Sequence, residues 1–185
     1  MEVKVAISAR HIHLCKEDLE ILFGKDYELN KRNDLSQKGE FASNEKVIIR
    51  NNNEELALRV LGPIRSYTQV EISKTDSYKL GLDLLPANSG ELDLAKEVLI
   101  IGPKGEIKRK CCIISNRHIH ISDIDSKKYG LFDGDKVKVK VNTKKGAILD
   151  NVYIKVNKNY VFEMHIDTDD ANALLLNDGD IVEII

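Results

Sequence analysis

The chain lacks a charge excess of either sign, because 28 lysines and arginines face 30 aspartates and glutamates, for a formal net charge of -2. No bulk electrostatic attraction to nucleic acid or to anionic lipid is therefore expected, although a local basic pocket for a small anionic ligand is compatible with this balance. The hydrophobic fraction of 42% is ordinary for a globular protein. We expect one large domain or two small ones, and no nucleic-acid partner.

Cysteine is scarce, since Cys15, Cys111 and Cys112 are odd in number and none stands in a C-x-x-C frame. A disulfide scaffold and a thiolate zinc site are therefore not expected, and the pattern favours a reducing cytosol. The longest apolar runs, such as residues 98–101, are too short to span a bilayer. A strand-like segment at residues 3–7 begins almost at once, so we expect no signal peptide.

Three common catalytic motifs are missing: a P-loop, a G-x-G-x-x-G turn after a strand and a G-x-S-x-G elbow. Kinase, dinucleotide-binding and serine-hydrolase functions are therefore not favoured. Cys15 lies beside a histidine motif and is a conceivable nucleophile, but an ordinary small side chain is the favoured interpretation.

An internal repeat is the most informative feature that is present. S-A-R-H-I-H-L at residues 8–14 returns as S-N-R-H-I-H-I at residues 115–121. Each copy follows a β-branched stretch and precedes a short helical pattern. A third strand-to-helix junction, at residues 162–168, contains His165. All five histidines of the chain thus fall at three positions that the sequence pattern treats as equivalent.

Short segments of alternating polar and apolar residues predict a mainly β protein. Residues 137–141 and 152–156 alternate as strands with one buried and one solvated face do. Similar runs occur at residues 46–50, 55–61, 68–72 and 97–101. About a dozen short strands with three small helices favour closed or partly closed β-barrels over an open parallel sheet.

The three predicted helices each follow a strand. They cover residues 18–23 and 122–129, ending at Gly24 and Gly130, and residues 169–174. D-G-D at residues 133–135 and again at 178–180 predicts turns that lead into strands. Residues 83–95 are interpreted as a loop.

The spacing of the histidines indicates metal binding. Residues i and i+2 of a strand share a face, so His11 with His13, and His118 with His120, can each offer two imidazoles to one ion. A catalytic zinc normally has three protein ligands, so five imidazoles suggest two ions and a further, anionic ligand. The candidates for this ligand are Glu71, Asp167 and Glu163. Helix capping is favoured for Asp167, and spacing alone favours a solvated strand face for Glu71.

Three arginines lie near these motifs. Arg10 and Arg117 precede the histidine pairs, and Arg65 follows the turn at residues 61–64. Guanidinium groups beside a metal pair suit an anionic substrate, especially phosphate, which arginine binds in a bidentate fashion. Ordinary surface charges remain an equally good interpretation of each one.

Several longer motifs make the family recognisable. Besides the two R-H-I-H copies, they are D-L-S-Q-x-G-x-F-A at residues 34–42, L-G-P-x-R-x-x-T-Q-V-E-I-S at residues 61–73 and E-M-H-I-D-T-D-x-A-N at residues 163–172. In this order, and over essentially the whole chain, the sequence resembles the phosphotransacylases (phosphate propanoyltransferases) of the PduL family.

The resemblance implies two small β-barrels capped by short α-helices, a discontinuous one of residues 1–9 plus 117–185 around a central one of residues 10–116. It also implies two zinc ions between the barrels. The metal ligands implied are His11, His13, Glu71, His118, His120 and His165, which reverses the interpretation of Glu71 from spacing alone. The residues implied near coenzyme A are Ser8, Arg32, Arg59, Leu61 and Asn172, and the phosphate-directed arginine is Arg65.

The expected function is reversible transfer of a short acyl group, propanoyl or acetyl, between coenzyme A and inorganic phosphate. Two alternatives remain: a dinuclear zinc phosphoester hydrolase, and a non-catalytic zinc-binding module. Relatives inside bacterial microcompartments carry an N-terminal extension that this chain lacks, so we expect a freely cytosolic enzyme. By analogy we also expect a homo-oligomer.

Overall fold

The structure, a computed structural model, describes every residue from Met1 to Ile185. The chain folds into two compact units: a terminal unit of Met1–Ala9 with Asn116–Ile185, and a central unit of Arg10–Ser115. Both crossings between the units fall inside a copy of the repeated motif. The motif therefore marks the places where the chain leaves one unit and enters the other.

Fourteen strands and four short helices make up the two units, so the predicted mainly β class is confirmed. The strands are β1 (Glu2–Ser8), β2 (His11–His13), β3 (Lys31–Asp34), β4 (Phe41–Asn51), β5 (Glu54–Gly62), β6 (Gln69–Glu71), β7 (Pro86–Ala87), β8 (Lys96–Ile101), β9 (Glu106–Ser115), β10 (His118–Ile121), β11 (Lys136–Val141), β12 (Ala147–Val156), β13 (Glu163–Asp167) and β14 (Ile181–Ile184). The helices are α1 (Lys16–Phe23), α2 (Lys74–Lys79), α3 (Asp123–Tyr129) and α4 (Thr168–Leu174).

Each unit contains a closed barrel, as predicted. The terminal barrel has the order β1-β13-β10-β12-β11-β14 and closes where β14 pairs with β1. The central barrel has the order β9-β6-β2-β5-β4-β8 and closes through the pairing of β8 with β9, while β3 and β7 extend it at β4 and β9. In both barrels the strand that carries H-x-H has one parallel and one antiparallel neighbour.

Each barrel has its own apolar core. Strand alternation explains the inward faces: in β11, with the sequence KVKVKV, Val139 and Val141 are buried between exposed lysines. Ile12 and Ile119, between the two histidines of each motif, have no exposed surface and belong to the central and the terminal core respectively. Because alternate residues of a strand point to opposite faces, the buried isoleucine of each motif places its two neighbouring imidazoles together on the other face of the strand.

The predicted helices are present, with local caps. Ser122 and Asp167 cap α3 and α4 by accepting a hydrogen bond from the backbone N–H three residues on. The capping role favoured for Asp167 is thus confirmed. Gly130 ends α3 in the left-handed conformation, with φ of 67°, which glycine adopts at little steric cost.

Helix α2 was not predicted, and its sequence KTDSYK explains why. It has no apolar stripe, and the residues it buries are Asp76 and Ser77. Its signal is the N-cap Ser73, whose hydroxyl accepts the Asp76 N–H at 3.2 Å.

Both predicted D-G-D turns lead into strands. Gly134 and Gly179 have φ of 84° and 92° and lie two residues before the first residues of β11 and β14. Separately, none of the helices combines the length and the apolar character needed to cross a membrane.

Candidate metal centres

A first cluster, which we call the central cluster, consists of His11, His13 and Glu71 on neighbouring strands of the central barrel. Strand β6 runs antiparallel to β2 and places Glu71 directly opposite His11. Each of the three side chains offers one ligand atom, and these atoms all lie within 4.8 Å of one another. The shortest ion-pair distance among them is 3.8 Å, between His11 Nε2 and Glu71 Oε2.

The position of Glu71 corrects the interpretation from spacing alone. Its side chain is only 12% exposed, so it does not lie on a solvated strand face. Val70 faces the core with no exposed surface, and alternation therefore turns Glu71 toward the histidines of β2.

A second cluster, the terminal cluster, consists of His118, His120 and His165 in the terminal barrel. His118 lies opposite His165 on the antiparallel strand β13. The three potential ligand atoms again lie within 4.8 Å of one another. The ring centroids are 4.5 Å apart for His120 and His165 and 5.2 Å apart for His118 and His165.

The sequence pattern suggested that the five histidines occupy three equivalent positions, and the structure shows that they do not. His165 enters from the neighbouring strand, and in the central barrel Glu71 takes the corresponding place opposite the first histidine. Asp167 corresponds likewise to Ser73, because each caps the helix that follows. Register between strands, which no local motif encodes, determines these pairs.

Both clusters suit a zinc ion by their chemistry. Imidazole nitrogen and carboxylate oxygen are common zinc donors, and ligands about 2.0–2.1 Å from a tetrahedral ion stand roughly 3.3–3.5 Å apart. Small side-chain rotations therefore bring atoms within 4.8 Å of one another into coordination distance. The Nδ1 atom of His13 is buried and has no hydrogen-bond partner, which is costly unless a ligand occupies it.

One imidazole is already held in a defined tautomer. His118 Nδ1 lies 2.7 Å from the carbonyl oxygen of Asn116. Because a carbonyl only accepts, Nδ1 carries the proton and the Nε2 lone pair is available to a metal.

Burial also favours the neutral, metal-binding form of two histidines. The pKa of His13 lies well below the usual value because of its burial, with smaller effects from His11 and Arg65. Burial is likewise the main reason why the pKa of His118 is lowered, followed by the charge of Lys155. Neutral imidazole is the form that binds a metal ion.

The arginines before the two H-x-H pairs are bound to aspartates. Arg117 donates from Nε and Nη2 to the two carboxylate oxygens of Asp170, both at 2.7 Å. Arg10 pairs with Asp76 in the corresponding way in the central unit. Both aspartates lie three residues after a helix cap. Sequence reasoning missed them, although that spacing was a usable signal.

Arg65 lies close to the central cluster. Its backbone N–H donates to the Leu14 carbonyl, at the end of the H-x-H motif, at 2.9 Å. Its guanidinium contacts Glu40 at 3.1 Å and Ser89 Oγ at 3.4 Å and is 26% exposed. Its charge contributes to the lowered pKa of His13.

The five residues implied near coenzyme A divide between the two units. Ser8 ends β1, and Asn172 is exposed on α4, both in the terminal unit. In the central unit Arg32 is exposed on β3, whereas Arg59 and Leu61 lie on β5. Arg59 is in register with His11, and its Nη1 donates to the Ser43 carbonyl at 2.6 Å.

Cys15 occupies a structural position. It is the N-cap residue of α1, and its backbone N–H donates to Thr68 Oγ1 at 3.1 Å. The same hydroxyl donates to the buried Asp18, which in turn holds Arg109. This network supports the interpretation of Cys15 as an ordinary small side chain.

Known proteins resemble the chain over nearly its full length. The family model described as phosphate propanoyltransferase matches residues 4–177. A phosphate propanoyltransferase of Thermotoga maritima is 45% identical over 184 residues, covering 98% of this chain and 88% of the relative. Those of Lachnoclostridium phytofermentans and Priestia megaterium are 44% and 46% identical, covering 99% and 96% of this chain and 87% and 83% of the relatives.

A full-length family match and relatives at this level of identity agree with the motifs and with the two β-barrels. The chain belongs to the phosphate propanoyltransferase family and is an enzyme of the phosphate acyltransferase class.

Proposed function

We propose that this enzyme transfers a short acyl group, propanoyl or acetyl, reversibly between coenzyme A and inorganic phosphate, with two zinc ions as cofactors. The observation that carries the proposal is the pair of three-residue clusters, each with its ligand atoms within 4.8 Å. The names of the relatives support phosphate and an acyl donor as substrates.

Zinc is the metal that fits the donors and the chemistry best. The central cluster offers two imidazoles and a carboxylate, and the terminal cluster offers three imidazoles. Zinc also accepts sulfur readily, so a bound ion would supply Lewis-acid polarisation of a thioester and stabilisation of a thiolate.

Arg65 is the residue that we propose for phosphate. Its guanidinium lies close to the central cluster, and its contacts with Glu40 and Ser89 leave part of its five-donor group available. Glu40 and Ser89 fix the orientation of the group, so a bidentate contact to phosphate requires little further ordering.

Ser8, Arg32, Arg59, Leu61 and Asn172 are proposed to contact coenzyme A. Two of them are cationic, which suits the phosphate groups of that molecule. The bond from Arg59 to the Ser43 carbonyl holds its guanidinium in place beside the strand of the central cluster.

The reaction balances without an acyl-enzyme. A phosphate oxygen attacks the thioester carbonyl carbon, and a C–O bond forms as the C–S bond breaks. The bonding electron pair leaves with sulfur, and the proton released from phosphate ends on the coenzyme A thiol. The role of the chain is to bind and orient both substrates.

A thiol-release assay with acetyl-CoA and propanoyl-CoA, with and without phosphate, tests the proposal together with metal analysis. We expect phosphate-dependent release of coenzyme A by protein that contains two zinc ions per chain. Equal turnover without phosphate would indicate a hydrolase instead. Unfolding on metal removal, with no turnover in any buffer, would indicate a non-catalytic zinc module.

His118→Ala and His120→Ala should abolish transfer while the chain stays folded. Each removes one of the three ligands of the terminal cluster, and circular dichroism monitors the fold. A variant with reduced zinc content and full activity would contradict the proposed role of this cluster.

A further inference from the structure

The two barrels repeat more than the H-x-H motif. In the central barrel the antiparallel strand β6 places Glu71 opposite His11 and Gln69 opposite His13. Residues that stand opposite each other in an antiparallel pair share one face. The central cluster therefore has a fourth polar neighbour, Gln69, on the same face.

The terminal barrel has the same arrangement. Strand β13 places His165 opposite His118 and Glu163 opposite His120. Glu163 thus corresponds to Gln69, two residues before the third member of the cluster. We call Gln69 and Glu163 the supporting residues.

Gln69 is fully buried and its amide orientation is determined. Its Oε1 accepts the backbone N–H of Gly90 at 2.7 Å, so the amide NH₂ must point the other way. That group donates to Glu71 Oε1 at 2.6 Å and to Ser89 Oγ at 2.8 Å. The donated bond occupies one carboxylate oxygen of Glu71 and leaves Oε2 facing His11.

Glu163 makes the complementary contact. Its side chain is 4% exposed, and Oε2 lies 3.3 Å from His165 Nε2. At this distance the carboxylate can accept an N–H from Nε2, which would fix the tautomer and the ring orientation and leave the Nδ1 lone pair for a metal. An acceptor therefore supports the imidazole of the terminal cluster, and a donor supports the carboxylate of the central cluster.

We propose that Gln69 and Glu163 are positioning residues that orient the third metal ligand of each cluster, Glu71 and His165. Each supporting residue is matched to its ligand: an amide donor faces the carboxylate of Glu71, and a carboxylate acceptor faces the imidazole of His165. Each cluster together with its supporting residue therefore contains one carboxylate. The inference rests on the proposed function, because it assumes that both clusters bind zinc.

A double-mutant exchange tests the matching. Gln69→Glu and Glu71→His are made singly and together, the double variant giving the central barrel the four residue types of the terminal one. Glu163→Gln, His165→Glu and their combination form the reciprocal set. Zinc content and zinc affinity are measured on the full chain by competition with a chelator, with circular dichroism as the check of folding.

Gln69→Glu and Glu163→Gln should each weaken zinc binding at one of the two sites by about 10–100-fold, the usual effect of losing a partner of a metal ligand. Glu71→His and His165→Glu should each weaken it at least as much, because they change the ligand as well as its match to the supporting residue. Gln69→Glu places a second carboxylate against Glu71, and in Glu71→His an amide donor faces the imidazole where an acceptor is needed. Each double variant should bind zinc at least about tenfold more tightly than the weaker of its two single variants, because the pair is matched again.

Glu45→Gln is the matched control. Glu45 is a buried glutamate that accepts hydrogen bonds from Tyr27 and Asn30, and it belongs to neither cluster. Its variant should bind two zinc ions with the affinity of the wild type. If the central variants do not fold, the zinc affinity of the nearly isosteric variant Glu163→Gln still tests the positioning role in the terminal barrel.

Two outcomes separate this inference from the proposed function. A wild-type chain that binds no zinc would overturn the metal sites and, with them, the proposed function. A wild-type chain that binds two ions, with single variants that bind as tightly or double variants whose losses simply multiply, would overturn only the matching of Gln69 and Glu163.

Discussion

The Arg117–Asp170 pair allows a sharp test of whether the arginine before H-x-H is structural or binds substrate. Asp170→Asn keeps the shape of the side chain but removes its charge and one of the two oxygens that accept from Arg117 at 2.7 Å. The hydrogen bonds that Arg117 donates to Asp170 raise the pKa of Arg117 in the wild type. In the variant the guanidinium stays charged, as arginine does in proteins, and keeps only one accepting oxygen of its partner.

The expected cost follows from the exposure of the pair. Arg117 is 36% and Asp170 is 20% exposed, between the fully buried pairs that cost about 3–5 kcal/mol to break and the exposed pairs that contribute about 0–1 kcal/mol. Asp170 also lies in the first turn of α4, where a negative charge contributes about 0.3–1 kcal/mol. We expect the free energy of unfolding to fall by about 1–2 kcal/mol.

The assay is urea unfolding followed by circular dichroism, with the phosphate KM measured on the same preparations. Asp150→Asn is the matched control in the same unit, because its pair with Lys138 is 58–62% exposed and should contribute less than about 0.5 kcal/mol. For Asp170→Asn we expect the loss of stability with a phosphate KM within about threefold of the wild type. A variant as stable as the control, with a tenfold higher phosphate KM, would refute the structural assignment of Arg117.

Three further predictions concern other parts of the chain. Arg65→Ala should raise the phosphate KM by roughly 10–100-fold, the equivalent of about 1.5–3 kcal/mol for hydrogen bonds to a charged group; an unchanged KM in steady-state kinetics would remove Arg65 from the proposed site. Burial raises the pKa of Cys111 to about 12 and also raises that of Cys112, so Ellman's reagent should modify at most Cys15 in the native protein and all three thiols in denaturant. Gly102→Ala should destabilise the protein by about 1–3 kcal/mol in urea unfolding, because its Cβ would lie 2.5 Å from the Leu22 carbonyl oxygen on α1.

Local patterns predicted the parts of the fold that depend on neighbours in sequence. Alternation found the strands, caps and glycines found three of the four helices, and the i, i+2 spacing placed His11 with His13 on one face. Helix α2 was not predicted because the residues that it buries, Asp76 and Ser77, are polar, whereas an amphipathic helix is recognised by an apolar stripe. The pattern of a helix is visible in sequence only when apolar side chains cover its buried face.

The residues opposite the histidines depend on strand register, and spacing alone misjudged them. The sequence around Glu71 predicts a strand of alternating residues, but the sequence of β6 alone does not determine which of its side chains lie on the same face as the histidines of β2. The family resemblance implied that Glu71 is a ligand, but it assigned no role to Gln69 or Asp76. Asp76 pairs with Arg10, 66 residues away, and Gln69 also contacts Ser89 and Gly90, 20 and 21 residues further on, and a single sequence does not show which of its segments lie side by side.

The repeat itself contains that missing information once the register is known. With one constant spacing along the chain, Gln69, Glu71, Ser73 and Asp76 return as Glu163, His165, Asp167 and Asp170. Only the last pair is identical in residue type, so comparison of the sequence with itself finds H-x-H and misses the strand that faces it. What is repeated there is a set of roles: a proposed support, a proposed metal ligand, a helix cap and an arginine partner. A support that donates to a carboxylate must change to one that accepts when the ligand becomes an imidazole, because hydrogen bonding requires complementary partners. The difference between the two barrels at these positions is thus itself an argument that each support acts on its ligand.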